Sequence, residues 1–512
     1  MMIRMLCIAA LASLSATLAP LSASAAGASD SDAAALLAKH RAYAGWAAGD
    51  GAIKTLRETG EGRRDGKVTV TLAGLRKGAA FRSSIQEEIG EFEIGFTGRV
   101  FWQSNENGFT IQTLGDPVKY LITELALENE ELTALPGTIQ RQATVGGVRT
   151  TVVRVIPGPG LPIDLYIDPQ TGAYARYVID PNGKYETSVD VLDFTDVGGG
   201  KRVISSWRYT GGKTVYTYTK IEANGEVTDA ELHPPTQTAS WTFGPPTETV
   251  PIEVTDTRIF VNAVVNGHPG RFVFDTGADG IAFTDSFARS VGAKRIGATE
   301  ISGIGGGARA NVYRVDTVAL GSSTLHNVII ATGLDESLRD DEHYDGFVGF
   351  DLLAGAIVDV NLDEKTMRIL DPAKVAPDHT QGLTAHVDLS TGQPRVPMTV
   401  AGHVPVLATL DSGNTFYVLF SNELIQRDHV GFFQDPSSAL DRVQFFGVNG
   451  TESDPCGNLQ SLELGPIVYR PVPACASESF SHNDVLLGFN FVKAFNYVFD
   501  YPDGEILMTP RK

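Results

Sequence analysis

The chain has 512 residues, more than one hydrophobic core accommodates, and its 42% hydrophobic and 20% charged content is that of a globular protein rather than a disordered or fibrous one. Its formal charge is −20, from 61 acidic against 41 basic residues; no Lys/Arg cluster breaks that balance, which argues against nucleic acid as a partner. With 54 Gly and 26 Pro, turns are frequent and long helices few, so the chain is expected to be mainly β.

Residues 1–26, MMIRMLCIAALASLSATLAPLSASAA, carry Arg4, an apolar stretch and then small residues. Ala23-Ser24-Ala25 and Ser24-Ala25-Ala26 both fit a signal-peptidase site, so a removable signal peptide is expected. The apolar part is too short for a stable membrane span, and no later segment approaches eighteen apolar residues. The expected product is exported, periplasmic or secreted, in a bacterial setting. After removal two cysteines remain, Cys456 and Cys475, and an oxidising compartment favours a disulfide between them. The other reading is two buried thiols. Neither stands at a zinc-ligand spacing, and no metal or other cofactor is expected.

Residues 30–48, DSDAAALLAKHRAYAGWAA, predict a helix, with Leu36, Leu37, Tyr43 and Trp46 at helical intervals. Short alternating segments follow, separated by hairpin-type turns such as Asn-Glu-Asn-Gly and Pro-Gln-Thr-Gly. They predict a curved antiparallel half-barrel over 27–230, covered by that one helix. The stretch 231–251, ELHPPTQTASWTFGPPTETVP, has no periodicity and reads as a linker.

Beyond the linker the sequence repeats. VVNGHPGRFVFDTGA (264–278) has a counterpart in TVAGHVPVLATLDSGN (399–414). Each holds a Gly-His turn, a short apolar strand and Asp-Thr/Ser-Gly. Downstream, DGFVGFDLL (345–353) is matched by DVLLGFNFV (484–492), and each copy closes on a hairpin-like segment. One β unit is thus present twice, over 252–372 and 373–512. His268 and His403 recur at equivalent turns, where exposed hairpin positions account for them.

A lone Asp-Ser/Thr-Gly is weak evidence, because Asp-Gly turns are common. Two at equivalent points of a repeat, each behind an apolar strand, predict that Asp275 and Asp411 meet across a pseudo-twofold axis. Two carboxylates so close share one proton, and one then acts as base on a water while the other polarises a carbonyl. Gly277 and Gly413 allow a sharp turn and close backbone approach. Thr276 and Ser412 are placed to hydrogen-bond across the copies.

Asp275-Thr276-Gly277-Ala278 with Phe347-Val348-Gly349, and Asp411-Ser412-Gly413 with Leu486-Leu487-Gly488, resemble the aspartic proteases. The short lobes and the Asp-Thr-Gly-Ala form are similar to retropepsins; the single-chain duplication is similar to pepsin. The resemblance covers about residues 250–512. It implies a pair of β-barrel-like lobes with an extended peptide in the cleft between them, and hydrolysis by an activated water without metal or covalent intermediate. It also implies a glycine-rich flap, for which Gly303, Gly305, Gly306 and Gly307 in ISGIGGGARANVYRV (301–315) qualify, with VQFFGVNGTES (443–453) as the second copy's equivalent. Two departures stand out. Asn414 replaces the family's usual Ala, Ser or Thr, and Asp279 puts another acid just past the first motif. Tyr313 lies too far along to match the flap tyrosine of pepsin-type enzymes.

The helix and sheet of the first half, with LYIDPQTGAYARYVI (165–179) and SSWRYT (205–210), resemble the periplasmic lipoprotein carriers. That resemblance implies an apolar ligand or a partner segment at the N-terminal domain; an inhibitory prodomain is the other reading. Phe101, Trp102 and Trp207 are apolar candidates for a concave ligand wall, and core packing is the other explanation for them. The function expected is an exported aspartic endopeptidase. The rivals are a non-catalytic peptide- or lipid-binding protein on a protease scaffold, and lobes that each pair with a second chain.

Overall fold

A computed structural model describes residues 30–234, 237–303, 306–333, 342–380, 382–428, 430, 432–433, 441–447, 450–477 and 485–511. The expected signal peptide and Gly305 lie outside these residues. The protein is mainly β, built on three large sheets with few helices. No helix among the described residues is long and apolar enough to cross a membrane. The chain forms two compact units, one of residues up to 104 with 113–235, the other of 105–112 with 236–512.

In the first unit, strands Thr55–Arg64, Lys67–Lys77, Ala80–Glu87, Gly90–Phe96 and Phe101–Ser104 run as an antiparallel meander. Thr55–Arg64 also pairs with Val215–Ala223. From there the meander continues backwards through Arg202–Tyr209, Thr187–Asp196, Tyr174–Ile179, Ile163–Ile167 and Val148–Val155 to Gly137–Val145. The predicted helix is Asp30–Ala44, ended by Gly45 at φ 75°, a left-handed conformation that favours glycine. A second helix, Asp116–Glu128, was not read from the sequence. Pro117 starts it, and Tyr120, Leu121 and Leu127 on its buried side join Leu37, Val153, Leu165 and Tyr177 in one core. Two helices therefore pack on the sheet, where the sequence suggested one.

The second unit contains the duplication. In the first copy Ile259–Val265 pairs with His268–Phe274, which runs parallel to Gly346–Val348. In the second, Arg395–Val400 pairs with Val404–Leu410, which runs parallel to Val485–Leu487. Both Gly-His turns have the same backbone form, with Asn266-Gly267 and Ala401-Gly402 all at positive φ, and both histidines are exposed. The closing hairpins Ile357–Asn361/Thr366–Leu370 and Phe495–Asp500/Glu505–Pro510 pair edge to edge, Val358 opposite Phe499 and Val360 opposite Tyr497. This shared sheet and a continuous core including Phe274, Val358, Leu410, Phe489 and Phe499 fix the two copies against each other. Within the stretch read as a linker, Ser240–Thr242 pairs with Ser323–Ala331, and Trp241 stacks on Phe243. Trp241 and Phe243 have apolar surface to bury, and the strand edge beside them offers unpaired backbone groups.

Candidate active site

Each Asp-Thr/Ser-Gly tripeptide leaves its strand in the same way. Asp275 donates its backbone N–H to Val348 O at 2.9 Å, and Asp411 to Leu487 O at 2.8 Å. The turn then closes on the short helix after the downstream glycine: Phe350 N–H donates to Ala278 O at 3.0 Å, and Phe489 N–H to Asn414 O at 2.6 Å. Gly349 and Gly488 are required by close approach. A Cβ on Gly349 would overlap Ala278 O, and one on Gly488 would overlap Phe416 O.

Behind the carboxylates, the two hydroxyls cross between copies. Thr276 Oγ1 donates to Leu410 O at 2.7 Å and accepts from Ser412 N–H at 3.1 Å. Ser412 Oγ donates to Phe274 O at 2.7 Å and accepts from Thr276 N–H at 3.0 Å. Both residues are buried, at 1% and 0% exposure, so all four bonds form away from water.

The glycines cross as well. A Cβ on Gly277 would overlap the Asp411 carboxyl group, and one on Gly413 would overlap that of Asp275. Each carboxylate therefore lies on the other copy's glycine. Asp275 Oδ1 accepts from Gly277 N–H at 2.9 Å; Asp411 Oδ1 accepts from Gly413 N–H at 2.9 Å and Asn414 N–H at 3.0 Å. A hydrogen bond joins the two carboxyls.

Electrostatically the pair is not symmetric. Burial raises the Asp275 carboxyl above the usual carboxylate range, opposed by the Asp411 hydrogen bond, by backbone N–H donors and by the Arg258 cation. Asp411 is raised further, first by burial and then by the Asp275 charge. Two buried carboxyls so close hold one proton between them more readily than two charges, and the titration belongs to the pair rather than to either residue.

The two sequence departures fit this frame. Asn414 uses its backbone N–H on Asp411 as Ala278 does on Asp275, while its side-chain oxygen accepts from Phe416 N–H at 2.9 Å. Asp279 is exposed, and its charge acts on the buried Asp351. Of the glycines expected in a flap, Gly303, Gly306 and Gly307 lie at the tip of a hairpin, Lys294–Gly303 with Gly306–Leu320, in which Gly303 faces Gly306 and Gly307 faces Ser302. The second copy has the same element, Asp441–Gly447 with Gly450–Leu459. Tyr313 is a core residue of the second strand of the first hairpin. Cys456 and Cys475 face each other on paired strands and form a disulfide, with Phe416, Leu419, Phe445 and Leu486 packed around it.

Residues 261–352 and 396–491 match the family model of an aspartyl protease. These stretches coincide with the two structural copies, so the scaffold of the second unit is protease-like. No curated protein matches the chain. One similar solved structure is that of a DUF1329 family protein from Desulfovibrio piger ATCC 29098, at 10% identity over 40% of this chain and 96% of that chain. Its TM-score is 0.28.

Asp351 was missed by sequence reading. It lies two residues past Gly349, is 2% exposed, and accepts from Asn105 Nδ2 at 2.7 Å and Asn107 Nδ2 at 3.0 Å. Burial holds its carboxyl well above the usual range. Asn107 also pairs with Ile329, its side chain donating to the carbonyl and accepting from the N–H. The signal was an acid in the first copy where the second has Asn490, but its partners lie some 245 positions upstream, where no periodicity links them.

Proposed function

We propose that the chain is an exported aspartic endopeptidase with Asp275 and Asp411 as its catalytic dyad. The observation that carries this reading is the reciprocal seating of each carboxylate on the other copy's glycine, which holds two buried carboxyls side by side. In the reaction Asp275 removes a proton from a water held between the carboxyls, while the Asp411 O–H hydrogen-bonds to the scissile carbonyl oxygen. The hydroxide attacks the carbonyl carbon, and the tetrahedral intermediate collapses as the leaving nitrogen takes from Asp275 the proton that came from the water, which leaves Asp411 protonated and Asp275 ionised as at the start. Thr276 and Ser412 are positioning residues that hold the two aspartates at a fixed separation, and such positioning supplies much of the rate. Gly303, Gly305, Gly306 and Gly307 are assigned to a flap over an extended peptide. The unit built from 27–230 is assigned the holding of an apolar ligand or of a partner segment.

The test is cleavage of a diverse peptide library by the mature protein and by its Asp275→Asn and Asp411→Asn variants. Cleavage by the parent alone supports the dyad. No cleavage by the folded parent overturns the reading in favour of a binding protein on the same scaffold, and equal cleavage by either variant refutes the assignment.

A further inference from the structure

The second copy reaches across to the first copy's active-site turn. Gln393, half-buried, donates its side-chain Nε2–H to Gly277 O at 2.5 Å. That carbonyl shares a peptide unit with the Ala278 N–H. Gly277 N–H and Ala278 N–H both return to Asp275, the first to its Oδ1 at 2.9 Å and the second to its backbone oxygen at 3.2 Å. Glycine has no side chain with which to resist rotation of that peptide. In the second copy the equivalent turn is braced from within, because Asn414 Oδ1 accepts from Phe416 N–H at 2.9 Å. Ala278 stands at the matching place and has no such group. The first turn takes its brace from the other copy.

Gln393 is itself held. Asp388 and Arg395 pair across the base of its loop, Asp388 N–H donating to Arg395 O at 2.9 Å and Arg395 N–H to Asp388 O at 3.1 Å. Their side chains close a buried network with Ser390. Arg395 Nη2 donates to Asp388 Oδ2 at 2.5 Å and to Ser390 Oγ at 2.8 Å, and Ser390 N–H donates to Asp388 Oδ1 at 2.8 Å. Such a pair adds little stability over apolar packing of equal volume, but it fixes the shape of the loop. Within the loop Leu389 O accepts from Gly392 N–H at 2.8 Å, and Gly392, at φ 74°, rests against Asp279, whose Cβ would lie 3.1 Å from a side chain there. Pro394 O then accepts from Leu410 N–H at 2.9 Å, one residue before Asp411. The first copy has a loop of the same length, with Glu253 opposite Phe260, which puts Arg258 where the second copy has Gln393. Its base has no buried ion pair: Glu253 is exposed and bound by Arg271.

We propose that Gln393 is a positioning residue of the candidate dyad: by holding Gly277 O it fixes the first copy's turn, and with it the N–H groups that meet Asp275. Its consequence for catalysis rests on the protease reading, whereas the ordering of the turn does not. The charges acting on Asp275 are those of Asp411 and Arg258, and Asp279 lies beside Gly392. Gln393 adds a neutral donor to them, so its loss changes the orientation of the turn and leaves the net charge as it was.

Gln393→Met keeps the length of the side chain and removes its donor. In the full mature chain, hydrogen exchange of segment 275–280 is expected to become about tenfold faster, with segment 357–361 unchanged. In peptide cleavage, kcat is expected to fall about tenfold with KM within about twofold, and the acid limb to move to higher pH, because the charged form of Asp275 loses well-placed donors. Gln393→Glu is isosteric. Ionised, it sets an acceptor against Gly277 O; protonated, it donates again. Relative to the parent, its exchange and kcat are expected to be impaired at about pH 7 and to recover below about pH 4. Exchange of segment 275–280 within about twofold of the parent in Gln393→Met, or a Gln393→Glu defect that does not change with pH, overturns the proposal. In a chain that cleaves, a loss confined to KM overturns it as well. A folded parent that does not cleave overturns the protease reading instead, and exchange of segment 275–280 then decides for or against the brace.

Discussion

Replacing Thr276 by Val keeps the side chain's shape and removes only its hydroxyl. That hydroxyl donates to Leu410 O at 2.7 Å and accepts from Ser412 N–H at 3.1 Å, and at 1% exposure water does not replace it. Two buried backbone groups are left without partners, at about 1–3 kcal/mol each. Allowing for relaxation and for the gain of a methyl group, the net loss is about 3 kcal/mol. The readout is amide hydrogen exchange in strands His268–Phe274 and Val404–Leu410, which meet at this network. In the regime where exchange follows the opening equilibrium, about 3 kcal/mol corresponds to roughly 100-fold faster exchange. Ser412→Ala removes the symmetric pair of bonds and is expected to cost a similar amount. The double variant is expected to fall short of the sum by about 1 kcal/mol, as residues of one network couple. Exchange within about threefold of the parent in the Thr276→Val chain would refute the claim that these crossed bonds hold the copies together.

Three further outcomes are expected. Gly277→Ala forces a methyl group into the Asp411 carboxyl, so peptide cleavage is expected to fall by about 100-fold or more while circular dichroism still shows a β-rich fold. Arg258→Gln removes the cation that lowers Asp275, so the acid limb of the pH–activity profile is expected to move to higher pH; an unmoved limb would show that Arg258 does not act on the dyad. Glu58→Gln tests the N-terminal interior through stability. The folded carboxyl is raised from 4.5 to about 7, so its favourable contribution is complete below pH 4.5 and is lost as pH rises towards 7. The variant is therefore expected to gain on the parent across that window, by about 3 kcal/mol at its upper end, in urea unfolding followed at several pH values.

The candidate dyad was legible because its evidence is local and repeated. Asp275-Thr276-Gly277 and Asp411-Ser412-Gly413 each end an apolar strand, and a duplicated unit implies an axis on which two equal points meet. The crossed bonds of Thr276 and Ser412 followed from the same symmetry. Other features had no local signature. Asp351 depends on Asn105 and Asn107 in a segment far upstream that joins the second unit. Helix Asp116–Glu128 passed unread because its apolar face is broken by Glu124, and the partners of that face, such as Val153 and Leu165, lie on distant strands.

What the sequence by itself determined is therefore the mainly β class, the duplication and the residues that terminate its strands, because side-chain alternation and turn chemistry act over a few neighbouring positions. Tertiary structure alone decided which copy's glycine seats which carboxylate, and which acids are buried. Those outcomes depend on burial and on charges brought together from separate strands, and the free energy of a carboxyl group is set by neighbours in space rather than along the chain.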